Sequence, residues 1–169
     1  MNNDSNLNTP DIEFTQLDKI TEIVASDRIS AVKSLTGDED YLRDHFPNFS
    51  VMPGVLMLEA MFQASCWLIR YSNQFLQSNV DLREAKSIKF QDFVTPGKQL
   101  EVRSKILKQD GCQYSLKTEC QIDGSVAVSG RLLVETYNQN ERNPSTQSVD
   151  RIVALEKQKQ FAFLYQSSN

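Results

Sequence analysis

The sequence has a single histidine, His45, and only three cysteines, Cys66, Cys112 and Cys120, in 169 residues. The cysteines are odd in number and widely spaced, with no CxxC pair. That excludes a disulfide framework or a Cys-based zinc site and reads as reduced thiols in a cytoplasmic protein. Basic charge is not in excess either. Lys and Arg number 18 against 22 Asp and Glu, a net charge of −4. This argues against nucleic acid or an anionic membrane as the main partner. No apolar run is long and unbroken enough to cross a bilayer, so membrane insertion is not expected. The opening segment MNNDSNLNTPD has no apolar core of a signal peptide, and residues 1–16 read as a flexible polar segment. Internal repeats are absent.

What is present is ordinary for one globular domain: 40% hydrophobic and 24% charged residues. One stretch stands out. Residues 54–72 read as a helix whose apolar residues, Val55 to Ile69, leave no broad polar face, which predicts burial on all sides. Pro53 and Gly54 open it, as suits a helix start. Within this helix lie Glu59 and Gln63, one turn apart on one face. Burying a carboxylate is costly unless it is paired or neutral. Met52, Met57 and Met61 read as core filling, and Cys66 as inert packing.

Around this helix the pattern is that of strands. Residues 20–36 read as a hairpin turning at Ser26-Asp27. Residues 71–84 read as a connector and 86–94 as a strand. Three period-two strands follow, with Leu100, Val102 and Ile106, then Tyr114, Leu116, Cys120 and Ile122, then Val126, Val128, Leu132 and Val134 on shared faces. Asp110-Gly111 and Asp123-Gly124 mark their turns. Cys112 and Cys120 are placed in strands. Residues 17–137 thus form one α+β domain, a curved antiparallel sheet wrapped around one long helix. A polar linker is expected over 138–150 and an amphipathic helix over 151–169, docked through Phe161, Phe163 and Tyr165.

The segment HFPNFSVMPGVLMLEAMFQ, 45–63, resembles the active-site pattern HFPxxPxxPGVLxxEAxxQ of the FabZ-type β-hydroxyacyl-acyl carrier protein dehydratases. The resemblance runs over roughly 17–136, through LDKITEIVASDRISAVKSLT and SIKFQDFVTPGKQLEV. It implies the hot-dog fold and loss of water from a 3-hydroxyacyl thioester to give the trans-2-enoyl product. It further implies acyl carrier protein as partner, a homodimer or trimer of dimers, and no cofactor beyond the substrate's phosphopantetheine.

Carried over residue by residue, the resemblance makes His45 the base and Glu59 of the partner subunit the acid. Gly54 N–H would bind the thioester carbonyl. The Val51 carbonyl would orient the imidazole, and Gln63 would hold Glu59. Phe49, Met52 and Phe62 would line the acyl tunnel. Burial among Leu58, Met61 and Phe62 would favour the protonated form of Glu59 that such an acid needs. Ser50 stands where the pattern has a proline, and Gln91-Asp92 where basic residues are common. Lys86, Lys89, Lys98 and Arg131 are the candidates for a carrier's basic patch. Two alternatives stay open. One is a non-catalytic hot-dog protein that binds a carrier or partner subunit. The other is an acyl-CoA hydratase or thioesterase on the same fold.

Overall fold

A computed structural model describes residues 15–44 and 48–166. His45 lies outside the described residues, as do residues 1–14. The chain begins with the hairpin β1 (Lys19–Val24) and β2 (Arg28–Ser34), then one helical turn, α1 (Tyr41–Asp44). The long helix α2 (Gly54–Ser72) follows. Four strands come next: β3 (Asn79–Phe90), β4 (Gln99–Asp110), β5 (Gln113–Ile122) and β6 (Ser125–Tyr137). Helix α3 (Gln147–Leu164) closes the order. All strand pairings are antiparallel, in one six-stranded sheet of order β1-β2-β4-β5-β6-β3. This is the α+β hot-dog arrangement, with α2 packed against one face of the sheet.

Alternation decides which side chains meet α2. Leu100, Val102, Leu116, Cys120, Leu132 and Val134 are buried on the inner face. Opposite them α2 presents Met57, Ala60, Met61, Ala64 and Leu68, also buried. The small Ala60 and Ala64 let helix and sheet approach closely. Even the buried hydroxyls are matched, Ser65 on α2 to Ser104 on β4 at 2.8 Å. The tight turns also follow local chemistry. Asp123 and Gly124 both have positive φ, 51° and 81°, as a two-residue hairpin turn requires. At the preceding turn the loop is Gly111-Cys112, and Asp110 ends the strand.

Several expectations are corrected. Helix α2 is not buried on all sides: Val55 is 67% exposed, and Leu58, Glu59, Phe62 and Cys66 are half-buried. These five lie along one stripe of the helix that the sheet does not reach. The strand after α2 begins at Asn79 rather than 86 and ends at Phe90. Its first half, NVDLREA, carries only the short alternation of Val80 and Leu82, and β3 is an edge strand that pairs, among the described residues, with β6 alone. Its register is also broken twice, between Leu82 and Glu84 and between Lys86 and Lys89. Cys112 is exposed in a turn, not packed in a strand.

The C-terminal helix starts at Gln147, earlier than 151, inside the stretch expected to be linker. Asp150 explains this. Its carboxylate accepts the N–H groups of Gln139 and Asn140, each at 2.9 Å, and the Ser78 hydroxyl. Helix α3 is thereby fixed to the chain leaving α2. Phe161 then packs among Trp67, Tyr71, Phe75 and Tyr165, with ring centroids 5.2 to 6.1 Å away. Phe163, expected to dock with it, is 44% exposed and faces solvent.

Candidate active site

The α2 stripe carries the candidate chemistry. Glu59 is half-buried. Gln63, one turn on, donates from Nε2 to Glu59 Oε1 at 2.9 Å. The Gln63 oxygen accepts the backbone N–H of Gln16 at 2.8 Å. That second bond decides which end of the amide faces the carboxylate, because only the NH2 end is left to turn toward Glu59. Gln16 is itself 4% exposed and precedes the buried Leu17. The N-terminal approach to β1 thus holds a residue of the site, which no motif in the sequence signals.

Gly54 is the first residue of α2, with Pro53 capping it. The backbone N–H groups of the first turn have no partners within the helix and carry its positive end. The closest neighbour of Gly54 is a side chain. A Cβ added there would come within 2.9 Å of the Phe90 ring. Phe90 thus lies over the helix start, where the resemblance places the thioester. Its ring is 55% exposed and belongs to the end of β3.

The other expected residues divide. Val51 and Met52 are buried, at 1% exposure each, and Met52 N–H donates to the Val94 carbonyl at 2.8 Å. This bond ties the loop before α2 to the loop after β3. Phe49 is exposed and meets Phe93 edge-on, with centroids 5.9 Å apart. Phe62 is half-buried beside Glu59 on the stripe. Cys66 completes the stripe, its thiol pushed up to about 12 by burial and so held neutral. Among the described residues no cluster of His, Cys, Asp and Glu is arranged to hold a metal ion. Nor is any helix among them long and apolar enough to cross a membrane.

Residues 9–136 match the FabA-like domain model. The chain is 34% identical over 119 residues to the 3-hydroxyacyl-[acyl-carrier-protein] dehydratase FabZ of Lactococcus lactis subsp. cremoris, covering 70% of this chain and 82% of that protein. It is 32% identical over 120 residues to FabZ of Clostridium perfringens, covering 71% and 86%. Among solved structures, the dehydratase heterocomplex ApeI:P of Xenorhabdus doucetiae superposes with a TM-score of 0.63 at 22% identity, over 79% of this chain and 90% of that one. The Streptococcus mutans protein smu.793, bound to acetyl CoA, superposes with a TM-score of 0.59 at 9% identity, over 76% of this chain and 94% of that one. The two structures share the fold. The match over most of the chain, together with the FabZ relatives, places this protein in the FabA-like family, among its FabZ-type dehydratases, which are hydro-lyases.

Proposed function

We propose that this chain removes water from a 3-hydroxyacyl thioester on acyl carrier protein, in fatty-acid or related acyl synthesis. The observation that carries the reading is Glu59, half-buried on the open stripe of α2 and held by Gln63. The identity to relatives named as 3-hydroxyacyl-acyl carrier protein dehydratases supports the substrate class.

In the reaction, His45 takes a proton from C2 of the acyl chain, and the C2–C3 double bond forms as the C3–O bond breaks. Glu59 gives a proton to the departing hydroxyl, so water leaves. Charge grows on the thioester oxygen as the C2 proton goes. The Gly54 N–H, at the positive end of α2, is the group to stabilise it. The chemistry belongs to the protein's own side chains and backbone; the carrier's phosphopantetheine only delivers the acyl chain.

A homodimer follows from the same reading. Strand β3 has one edge that pairs with no other strand among the described residues, and the α2 stripe leaves Val55 exposed and Leu58 and Phe62 half-buried. A long free edge and an apolar stripe both favour pairing with a second copy. The acid at each site would then be Glu59 of the partner subunit. Residues 17–137 form the catalytic unit in this reading, and 138–169 a C-terminal addition.

The test is a mass-resolved assay on 3-hydroxyacyl-carrier protein and the matching acyl-CoA. Wild type is expected to remove one water from the carrier-bound substrate, and His45→Ala and Glu59→Gln to remove none. Free acid and thiol as products would assign a thioesterase instead. No reaction on either carrier, with the fold intact, would favour a binding protein.

A further inference from the structure

Three buried side-chain atoms among the described residues have no hydrogen-bond partner: Gln16 Oε1, Tyr41 Oη and Gln77 Oε1. Tyr41 and Gln77 are half-buried, whereas Gln16 is only 4% exposed. Of the three, Gln16 is hydrogen-bonded to the candidate site. Its backbone N–H donates to Gln63 Oε1 at 2.8 Å, and Gln63 Nε2 donates to Glu59 Oε1 at 2.9 Å. Two hydrogen bonds and one amide group therefore bring the Gln16 backbone within ~8 Å of the Glu59 carboxyl. A glutamine side chain spans much of that distance. Gln16, Gln63 and Glu59 belong to one chain, so they act together whichever subunit supplies His45.

The chain holds Gln16 firmly from its C-terminal side. Leu17 is fully buried in the core. Asp18 N–H donates to the Val32 carbonyl at 2.8 Å, and the Asp18 carboxylate accepts the Ser34 N–H at 2.7 Å. A buried acceptor without a partner is costly, and native structures seldom leave one without a reason. The fold does not call for a glutamine here. The bond to Gln63 is made by the backbone, and any residue but proline supplies that N–H. An apolar side chain would fill the place without an orphan oxygen. The amide oxygen of Gln16 is thus left for a donor that the described residues do not provide.

The identity of that donor rests on the dehydratase reading. In that reaction the 3-hydroxyl oxygen takes a proton from Glu59 and leaves as water. The hydroxyl's own hydrogen points away from the incoming proton and needs an acceptor. The Gln63 oxygen already accepts the Gln16 N–H. An amide oxygen is a neutral acceptor, so it takes the hydrogen bond without removing the proton. We propose that Gln16 Oε1 accepts the O–H of the substrate's 3-hydroxyl and holds its oxygen toward Glu59. As the C3–O bond breaks, its electron pair leaves with the oxygen. The Glu59 proton joins that oxygen, and the hydrogen held by Gln16 departs in the same water. The bond is made before and during the chemical step alike, so it acts on binding and orientation more than on the barrier. It also separates 3-hydroxyacyl chains from saturated or unsaturated ones, which offer no donor there.

The test compares the full-length wild type with Gln16→Met, which keeps the length of the side chain and removes its amide. Dehydration of a 3-hydroxyacyl-carrier protein and hydration of the matching trans-2-enoyl-carrier protein are both measured. In the variant, KM for the 3-hydroxyacyl substrate should rise about tenfold, the effect of one lost hydrogen bond, with kcat within about twofold of wild type. KM for the enoyl substrate, which has no hydroxyl, should stay within about twofold. The equilibrium constant is fixed, so kcat for hydration should then fall about tenfold. The variant should melt no lower than wild type, because an unpartnered acceptor has gone. Unchanged kinetics would overturn the proposal, as would equal rises in the two KM values. A lower melting temperature would also overturn it, by showing that the amide serves the fold. Wild type that turns over neither substrate would instead overturn the dehydratase reading, and this proposal with it.

Discussion

Gln63 donates to Glu59 at 2.9 Å while its own oxygen is held by the Gln16 N–H at 2.8 Å. The carboxylate therefore has a fixed orientation set from the chain segment before β1. In the proposed reaction Glu59 moves a proton and Gln63 only positions it. Glu59→Gln is expected to lower kcat by about 10²–10⁴, the usual worth of a general acid. Gln63→Leu should lower kcat by about tenfold with a smaller change in KM, since it removes the hydrogen bond that orients Glu59. Gln63→Glu keeps the length but places a second carboxyl beside Glu59. Its pH–rate profile should shift, whereas that of Gln63→Leu should keep its shape. Kinetics across pH on carrier-bound substrate would check both.

The approach of Phe90 to Gly54 makes a second prediction. In Gly54→Ala the new methyl would meet the Phe90 ring at 2.9 Å. The ring is half in solvent and can turn aside, so the fold should survive with a cost of about 1 kcal/mol or less. Activity should fall much further, because the methyl fills the space needed at the helix start. Pairing it with Phe90→Ala should restore stability but not turnover. Thermal melting and kcat/KM of the three variants separate the two effects. Full activity in Gly54→Ala would remove Gly54 from the site.

The Asp150 carboxyl should make stability depend on pH. Burial by itself pushes its pKa up, but the Ser78 hydroxyl and the Asn140 and Gln139 N–H groups outweigh it and hold it below the ordinary aspartate value. A pKa depressed in the folded state stabilises at pH above the unfolded value of about 4 and loses that contribution as pH falls through the folded value. Asp150→Asn should therefore melt below wild type at pH 7, and the gap should narrow as pH drops toward 3. The only tryptophan, Trp67, lies 6.1 Å from Phe161, so its emission reports whether α3 has come away. A gap that stays constant with pH would show that the charge of Asp150 is not what anchors the helix.

The three cysteines should separate by reactivity. Burial pushes the thiols of Cys66 and Cys120 upward, to about 12 for Cys66, and Cys120 is fully buried. Cys112 is exposed in the β4–β5 turn. Since the thiolate is the nucleophile, a disulfide reagent at pH 8 should modify Cys112 rapidly and the other two only after unfolding. Fast loss of a second thiol in the native protein would show that the half-buried Cys66 is within reach of the reagent without unfolding.

Much of this protein is set by local pattern. Period-two alternation in 99–137 determines three strands and their inward faces, because side chains on a strand point alternately to either side. The long helix is equally local: Pro53-Gly54 starts it, and from 55 to 69 its apolar run is broken only by Glu59, Gln63 and Ser65. Glu59 and Gln63 are brought together by one helical turn, so their contact follows from spacing alone. Those are also the parts that the sequence pattern HFPNFSVMPGVLMLEAMFQ makes legible.

What composition and spacing could not determine rests on partners distant in the chain. The first half of β3 carries only the short alternation of Val80 and Leu82, and pairing with β6 makes it a strand. Asp150 reads as one more polar residue in a linker until Ser78 and the 139–140 backbone come within hydrogen-bond distance. Phe90 reaches Gly54, and Gln16 reaches Gln63, only once sheet and helix are packed. The burial of α2 is decided in the same way. Its residues are apolar all round, but one sheet covers one side, and the tertiary structure leaves the stripe through Val55, Glu59 and Phe62 open. Arg28, Lys105, Lys117, Arg131 and Lys86 are the clearest case, since they lie in five different strands and cross-strand register alone sets them side by side.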